Sequence, residues 1–195
     1  MTHRNVNSNG FRMPIALGVV VVSMSLCGIV SAYIGSDTTD YVYTDSLPAL
    51  VYEDSLAVGL ECKAGSGYCS ALALDFTTVG IPSGFEKWGF TWEVEFSDQM
   101  NGGKSECPSG AFVTGLSCYG DWCAVKRLQC TQMYYGGSPA HTGSNCTTEP
   151  AISEETWPPP GNHATCSNAN TFIVGMEASG YYSDNMSIIC CDMVP

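Results

Sequence analysis

From about residue 50, short apolar segments alternate with pieces rich in turn-forming residues. Residues 92–96 (WEVEF) alternate strictly, as expected of a strand with one buried face. Similar apolar segments predict strands at 72–76, 111–116, 128–131 and 172–176. Pieces rich in glycine, proline and asparagine predict turns at 80–84, 101–103, 135–145 and 157–162. Since no window of about ten residues beyond residue 32 has helical periodicity, we predict an all-β protein.

Three segments of the chain resemble one another, and we interpret them as internal repeats: 57–76, 107–130 and 171–191. Their matched glycines are Gly59, Gly115 and Gly175, which lie 56 and 60 residues apart. A fixed period in this range is typical of a repeat architecture. We therefore predict one β domain at 50–195, divided into repeats of about 50–95, 96–150 and 151–195, with a threefold arrangement.

The repeats also predict how the cysteines pair. Where the second repeat has Cys118 and Cys123, the third has Ala178 and Ser183, so both cysteines are lost together, as bonded partners would be. The same reasoning pairs Cys62 with Cys69 in the first repeat. Analogy between the repeats and elimination then suggest three longer bonds, although spacing alone leaves other connectivities open: Cys107–Cys130, Cys166–Cys190 and Cys146–Cys191.

The first 32 residues have the pattern of a secretory signal peptide. A basic start with Arg4 and Arg12 precedes an apolar stretch at 13–32, which ends in the small residues of a cleavage site. The alternative is a retained membrane anchor, since about 20 apolar residues can span a bilayer. Residues 33–49 are predicted to be a polar linker with an added edge strand at 41–44. We expect the protein to be secreted, and to meet a membrane only if residues 1–32 are retained.

Charge and cysteine content narrow the possible partners. The formal net charge is −12, which repels nucleic acid and anionic lipid. Ten cysteines remain after the signal segment, which contains Cys27, and their pairing requires an oxidising compartment. We therefore expect an extracellular protein with neutral partners, such as glycans or the glycoproteins of a matrix or cell surface, and no nucleic-acid partner.

The repeats resemble the vitelline membrane outer layer protein I family over roughly residues 50–195. The resemblance rests on a tryptophan before a cysteine, a glycine-bearing apolar strand, a polar turn and an apolar strand that ends in cysteine. The third repeat carries its most specific points, which are Asp184-Asn185 and Cys190-Cys191. The resemblance implies a β-prism of three sheets in an extracellular coat protein suspected of binding carbohydrate. A β-trefoil is the alternative threefold fold.

Aromatic residues recur at one place in the repeats and form the candidate ligand site. Exposed aromatic rings can stack on sugar rings while acids and amides bond the hydroxyl groups. The candidate residues are Tyr68, Trp122 and Tyr182, with Tyr119, Tyr181, Asp184 and Asn185 nearby. The alternative is that these rings only cover neighbouring disulfides. Three further tryptophans are predicted to lie in the core: Trp88, Trp92 and Trp157.

Catalysis has little support in the sequence. A carbohydrate-active enzyme would need two carboxylates placed on either side of a bond. Glu93 and Glu95, two apart on one strand, are predicted to face solvent, and Glu154 and Glu155 are the other adjacent acids. No spacing suggests a metal site, and we predict no cofactor. Residues 145–147 (NCT) and 185–187 (NMS) match the N-glycosylation pattern, although Asn185 has the alternative of a role in its turn.

Overall fold

The computed structural model describes residues 36–39, 49–51, 54–65, 68–77, 80–95, 103–119, 123, 125–149, 163–179 and 185–195. Only the backbone is described at 36–38, 63–65, 68–70, 89, 90 and 92. These parts of the chain form an all-β protein, with the following strands in chain order: β1 (Ser36–Thr38), β2 (Ala49–Leu50), β3 (Ala57–Gly65), β4 (Tyr68–Thr77), β5 (Phe85–Glu95), β6 (Gly103–Glu106), β7 (Ala111–Tyr119), β8 (Val125–Tyr135), β9 (Ser138–Pro139), β10 (His141–Thr148), β11 (His163–Thr165), β12 (Thr171–Ser179) and β13 (Asn185–Val194).

The described strands form three antiparallel sheets that share one plan. Their orders are β1-β4-β3-β11 in sheet 1, β5-β8-β7-β2 in sheet 2 and β10-β13-β12-β6 in sheet 3, with β9 pairing with β8. The two central strands of each sheet are consecutive in the chain and form a long hairpin. A strand that precedes the hairpin in the chain covers one side, and a short strand from a different part of the chain covers the other.

The same irregularity occurs in all three hairpins. The register shifts between Ala57 and Gly59, between Val113 and Gly115, and between Ile173 and Gly175. In each bulge the carbonyl of the intervening residue accepts a backbone hydrogen bond at 2.7–3.0 Å, from Cys166 to Val58, from Val51 to Thr114 and from Cys107 to Val174. These donors follow the short strands β11, β2 and β6. Each short strand is therefore held on a hairpin to which it is not adjacent in the chain.

Four of the five predicted disulfides are present: Cys107–Cys130, Cys118–Cys123, Cys146–Cys191 and Cys166–Cys190. Cys62 is also disulfide-bonded, but the side chain of its predicted partner Cys69 lies outside the described residues. By register, Phe76 of the first hairpin corresponds to Cys130 and Cys190. Phe76 and Val51 are both buried, so apolar packing replaces the long disulfide there. This number of disulfides is typical of a protein that folds in an oxidising compartment.

The three hairpins contact one another around a shared apolar core. Its larger cluster takes aliphatic residues from each hairpin, among them Leu60, Leu74, Leu116, Leu128, Ile173 and Ile188. A second cluster includes the edge-to-face pair of Phe112 and Phe172, whose ring centroids lie 6.0 Å apart. Within the described ranges, no helix is long and apolar enough to cross a membrane.

The strands predicted at 72–76, 111–116, 128–131 and 172–176 are confirmed, as is 92–95 of the strand predicted at 92–96. The turn predicted over 135–145 is wrong in its second half, because His141 begins β10 and its backbone pairs with Val194. The sequence predicts a turn there because the segment consists of small polar residues. These residues form an edge strand in the described sheet, and most of their side chains face solvent. The predicted signal segment, the edge strand at 41–44 and the turn at 157–162 lie outside the described residues.

Candidate ligand-binding groove

The residues predicted to bind a ligand are only partly described. Tyr119 ends β7, and its ring lies under the guanidinium of Arg127, whose Cζ is 4.7 Å from the ring centroid. Asn185 begins β13 on sheet 3 and pairs with Ser179, so it lies on a different sheet from Tyr119. Tyr68 begins β4, but its side chain is not described. Trp122, Tyr181, Tyr182 and Asp184 lie outside the described residues.

A groove with a volume of about 850 Å³ runs across sheet 2. This volume lies within the range of about 300–1,000 Å³ that is usual for small-molecule sites. Leu128 and Cys130 of β8 face the core, and the alternating residues Gln129 and Thr131 line the groove on the opposite face. Further lining residues come from β2, β5, β7 and the preceding turns, notably Leu50, Asp54, Glu86, Lys87, Trp88, Thr91 and Thr114.

Trp88 lies at this groove with 52 % of its surface exposed. The prediction that Trp88 is a core residue is therefore wrong. The physical reason is a bulge, because β5 pairs with β8 at Lys87 and again at Thr91, so three residues of β5 face only Gln132. A bulge interrupts the regular alternation of side chains. The ring packs against Tyr134 at a centroid distance of 5.4 Å, which leaves the rest of its surface to solvent.

A second aromatic pair extends this surface along the same two strands. Phe85 lines the groove, and its ring lies 4.9 Å from that of Tyr135, which is 42 % exposed. Gly84 makes this packing possible, because its φ of 89° belongs to the left-handed region and a Cβ there would lie 2.6 Å from the Tyr135 ring. The aromatic surface therefore depends on the turn that precedes β5.

The floor of the groove carries hydroxyl and amide groups. The hydroxyls of Thr114 and Thr131 are hydrogen-bonded to each other at 2.6 Å. Gly115 lies beside them, and a Cβ at that position would be 2.7 Å from both Oε1 of Gln129 and Cδ2 of Leu50. The missing side chain thus lets the Gln129 amide and Leu50 lie over the strand. Polar groups of this kind can exchange hydrogen bonds with a hydroxyl-rich ligand.

The corresponding place on the other two sheets has a different character. By register, Asp75 and Ile189 correspond to Gln129. On sheet 1 the buried Asp75 carboxylate is hydrogen-bonded to Nε2 of His163, a residue of the short strand β11. On sheet 3 Ile189 and the bulge residue Val174 line a smaller groove of about 390 Å³. Exposed aromatic surface beside the groove distinguishes sheet 2 among the described residues.

Charged side chains lie on sheet 2 at the end of β5 and the start of β8. Arg127 donates to Glu95 at 3.0 Å and lies 4.0 Å from Glu93, and both acids are exposed, as predicted. The hydrogen bond to Glu95 raises the pKa of Arg127. At the groove itself, Asp54, Glu86 and Lys87 supply both signs of charge. Within the described residues, no group of three or more His, Cys, Asp or Glu side chains could hold a metal ion.

Sequence reasoning missed Trp88, Gln129 and the Thr114–Thr131 pair. Repeat matching directed attention to positions that recur, whereas these residues differ between the repeats. One local signal was available, because Gly89 follows Trp88 and a glycine within a strand pattern often marks a bulge. The threonines gave no signal, since threonine is common in any strand.

Comparisons with protein-family models, with curated proteins and with solved structures gave no significant match to this chain.

Proposed function

We propose that this chain is a secreted, non-enzymatic glycan-binding protein, and that the groove on sheet 2 holds the sugar. The observation that carries the proposal is the half-exposed Trp88 beside a groove of about 850 Å³. A tryptophan ring offers a flat apolar surface to the face of a sugar ring. The Gln129 amide and the Thr91 hydroxyl, both in the groove lining, can exchange hydrogen bonds with the sugar hydroxyls.

The proposal includes an extracellular location and a role at a surface or in a coat. The disulfides support a secreted protein. The resemblance to the vitelline membrane outer layer protein I family points to the same setting. The partners would be free glycans, or the glycans of matrix and cell-surface glycoproteins. Both signs of charge at the groove favour a neutral sugar over a strongly anionic one.

The proposal also covers how the three sheets are arranged. We infer that the three sheets are the faces of a threefold β-prism. The shared strand order and the matching bulges at Gly59, Gly115 and Gly175 support it. Three separate sheets also favour a prism over a β-trefoil, in which strands close into one barrel. An experimental structure of the secreted chain would test this, and a closed barrel would contradict it.

A glycan array on the secreted protein, followed by titration of the best ligand, tests the binding proposal. We expect Trp88→Ala to weaken binding at least tenfold, which corresponds to about 1.4 kcal/mol, and Trp88→Phe to lose less. Tyr119→Ala is the matched control, because its ring packs on Arg127 and does not line the groove. Thermal unfolding of each variant checks that it is folded.

Three results would count against the proposal. Unchanged affinity in a folded Trp88→Ala protein would exclude the groove. A loss on Tyr119→Ala with none on Trp88→Ala would move the site to the repeated loops. A blank array would leave the coat role, which self-association and pull-down with matrix extracts would then test.

A further inference from the structure

The two N-glycosylation patterns lie in different structural settings. Asn145 is exposed in the edge strand β10, which pairs with β13 along one side in the described part of the sheet. Asn185 is partly buried at the start of β13, where it pairs with Ser179 in the ladder of the central hairpin. A glycan needs room in solvent on its side of the strand, and an edge strand provides it.

A bulge in β10 turns Asn145 away from the sheet. The strand pairs with β13 at Thr142 and then at Cys146, so residues 143–145 face Asp192 alone. The Asp192 carboxylate fills the inner side of this bulge, where Oδ1 accepts the backbone N–H of Asn145 at 3.1 Å. A side chain on Gly143 would collide with the same carboxylate. The bulge therefore holds the backbone N–H of Asn145 against Asp192 and leaves the Asn145 side chain exposed.

We propose that Asn145, in preference to Asn185, carries an N-linked oligosaccharide when the chain passes through a eukaryotic secretory pathway. The donor is an oligosaccharide linked through a diphosphate to a polyprenyl lipid. The side-chain amide nitrogen of Asn145 forms a bond to the anomeric carbon, and the bond from that carbon to the diphosphate breaks. The amide loses one proton, and nothing is oxidised or reduced.

The oligosaccharide is transferred to Asn145 before this part of the chain folds. The acceptor pattern requires the hydroxyl of Thr147, and in the folded protein that hydroxyl donates to Glu149 at 2.7 Å. The fold then decides which modified chain can mature. An oligosaccharide on Asn145 leaves the sheet edge into solvent, whereas one on Asn185 has to leave from the end of the β12–β13 hairpin, where that side chain is partly buried.

An oligosaccharide on Asn145 affects the two grooves differently. Cys146 and Thr147, which follow Asn145, line the smaller groove on sheet 3. An oligosaccharide on Asn145 therefore lies beside that groove and shields it. The larger groove is on sheet 2, with none of its lining residues in β10, so it stays open.

Site mapping on the full chain secreted from a eukaryotic host tests the proposal. An N-glycosidase in heavy-oxygen water converts each glycosylated asparagine into labelled aspartate. We expect the label at residue 145 and little at 185. Asn145→Gln should abolish the mobility shift on deglycosylation, while Ser187→Ala, which removes only the second pattern, should keep it. Thr147→Ser should keep the modification, because serine retains the hydroxyl.

An unlabelled Asn145 in the secreted wild-type protein would overturn the proposal. Equal or higher occupancy at Asn185 would also overturn it. Both results come from the wild-type chain, so they do not depend on any variant folding.

Discussion

Replacing Glu149 with Gln tests how one buried carboxylate stabilises the fold. Glu149 follows β10 and is 6 % exposed. Its Oε1 accepts hydrogen bonds from the hydroxyl of Thr147 at 2.7 Å, and from the backbone N–H and hydroxyl of Ser167 at 3.0 and 2.7 Å. The carboxylate therefore joins the end of β10 to the turn between β11 and β12. Glutamine keeps the shape and one carbonyl oxygen but removes the charge.

The magnitude follows from the change in hydrogen-bond type. Burial by itself raises the pKa of Glu149, but the hydrogen bonds from Ser167 and Thr147 outweigh it, so the pKa lies below its ordinary value of 4.5. A hydrogen bond to a charged group stabilises by about 1.5–3 kcal/mol, against about 0.5–1.5 kcal/mol for a neutral pair. Since the three bonds share one oxygen and do not add fully, we expect Glu149→Gln to cost about 1–3 kcal/mol at neutral pH.

The same reasoning fixes the pH dependence. A carboxylate with a lowered folded-state pKa stabilises the protein fully above its unfolded-state pKa, and this contribution is lost as pH falls through the folded-state pKa. Protonated Glu149 resembles glutamine. The difference in unfolding free energy between wild type and Glu149→Gln should therefore be largest at neutral pH and shrink progressively below pH 4.5.

Urea unfolding with intact disulfides, followed by tryptophan fluorescence across this pH range, measures the difference. Glu86→Gln is the matched control, because it removes one negative charge from an exposed position and so corrects for the net charge. We expect the control to change stability by less than about 0.5 kcal/mol. A Glu149→Gln penalty that is the same at neutral and acid pH, or no penalty at all, would refute the reasoning.

Two further predictions concern the repeats, and urea unfolding measures both. Gly175→Ala should lower the free energy of unfolding by about 1–3 kcal/mol, because the new Cβ would lie 2.7 Å from the backbone oxygen of Ser105 in β6. Gly115→Ala should lower it less, because the closest contacts there are the mobile ends of the Gln129 and Leu50 side chains. Equal losses of stability in the two variants would contradict this. Replacing Cys118 with Ala and Cys123 with Ser should destabilise the protein by about 1.4 kcal/mol less than replacing Cys107 and Cys130 with Ala. The reason is that the two disulfides close loops of different length in the unfolded chain, spanning 5 and 23 residues. A larger loss for the shorter loop would contradict this reasoning.

Parts of several strands, and the Cys118–Cys123 bond, could be predicted because they depend on patterns within short stretches of the chain. Alternation identified part of β5, short apolar segments identified parts of β4, β7, β8 and β12, and the joint loss of two cysteines identified the Cys118–Cys123 bond. The placement of β2, β6 and β11 could not be predicted in this way. Each pairs with a hairpin from another part of the chain, and similarity among the repeats leaves open which copy accepts which strand.

The sequence could not predict the candidate ligand groove, nor the proposed preference for Asn145 over Asn185, because Trp88 and Asn145 both lie at bulges. Reading back from Trp92 by strict alternation puts Trp88 on the same face, but three residues of β5 oppose only Gln132. In β10, residues 143–145 oppose only Asp192. Whether a strand bulges depends on its partner as well as on its own pattern.

The residues that lie opposite these two bulges, Gln132 and Asp192, occupy equivalent positions in their strands. By register, Gln132 of β8 corresponds to Asp192 of β13, since they are the second residues after Cys130 and Cys190 and pair with the first residues of β7 and β12. Asp192 binds the backbone N–H of Asn145, whereas the Gln132 amide donates to the carbonyls of Gly110 and Met133. Asp192 therefore holds the backbone of the bulged strand itself, whereas Gln132 holds the turn before β7 and the backbone of its own strand. In both sheets a polar residue of the central strand lies opposite the bulge, and the exposed residue, Trp88 or Asn145, lies on the edge strand beside it.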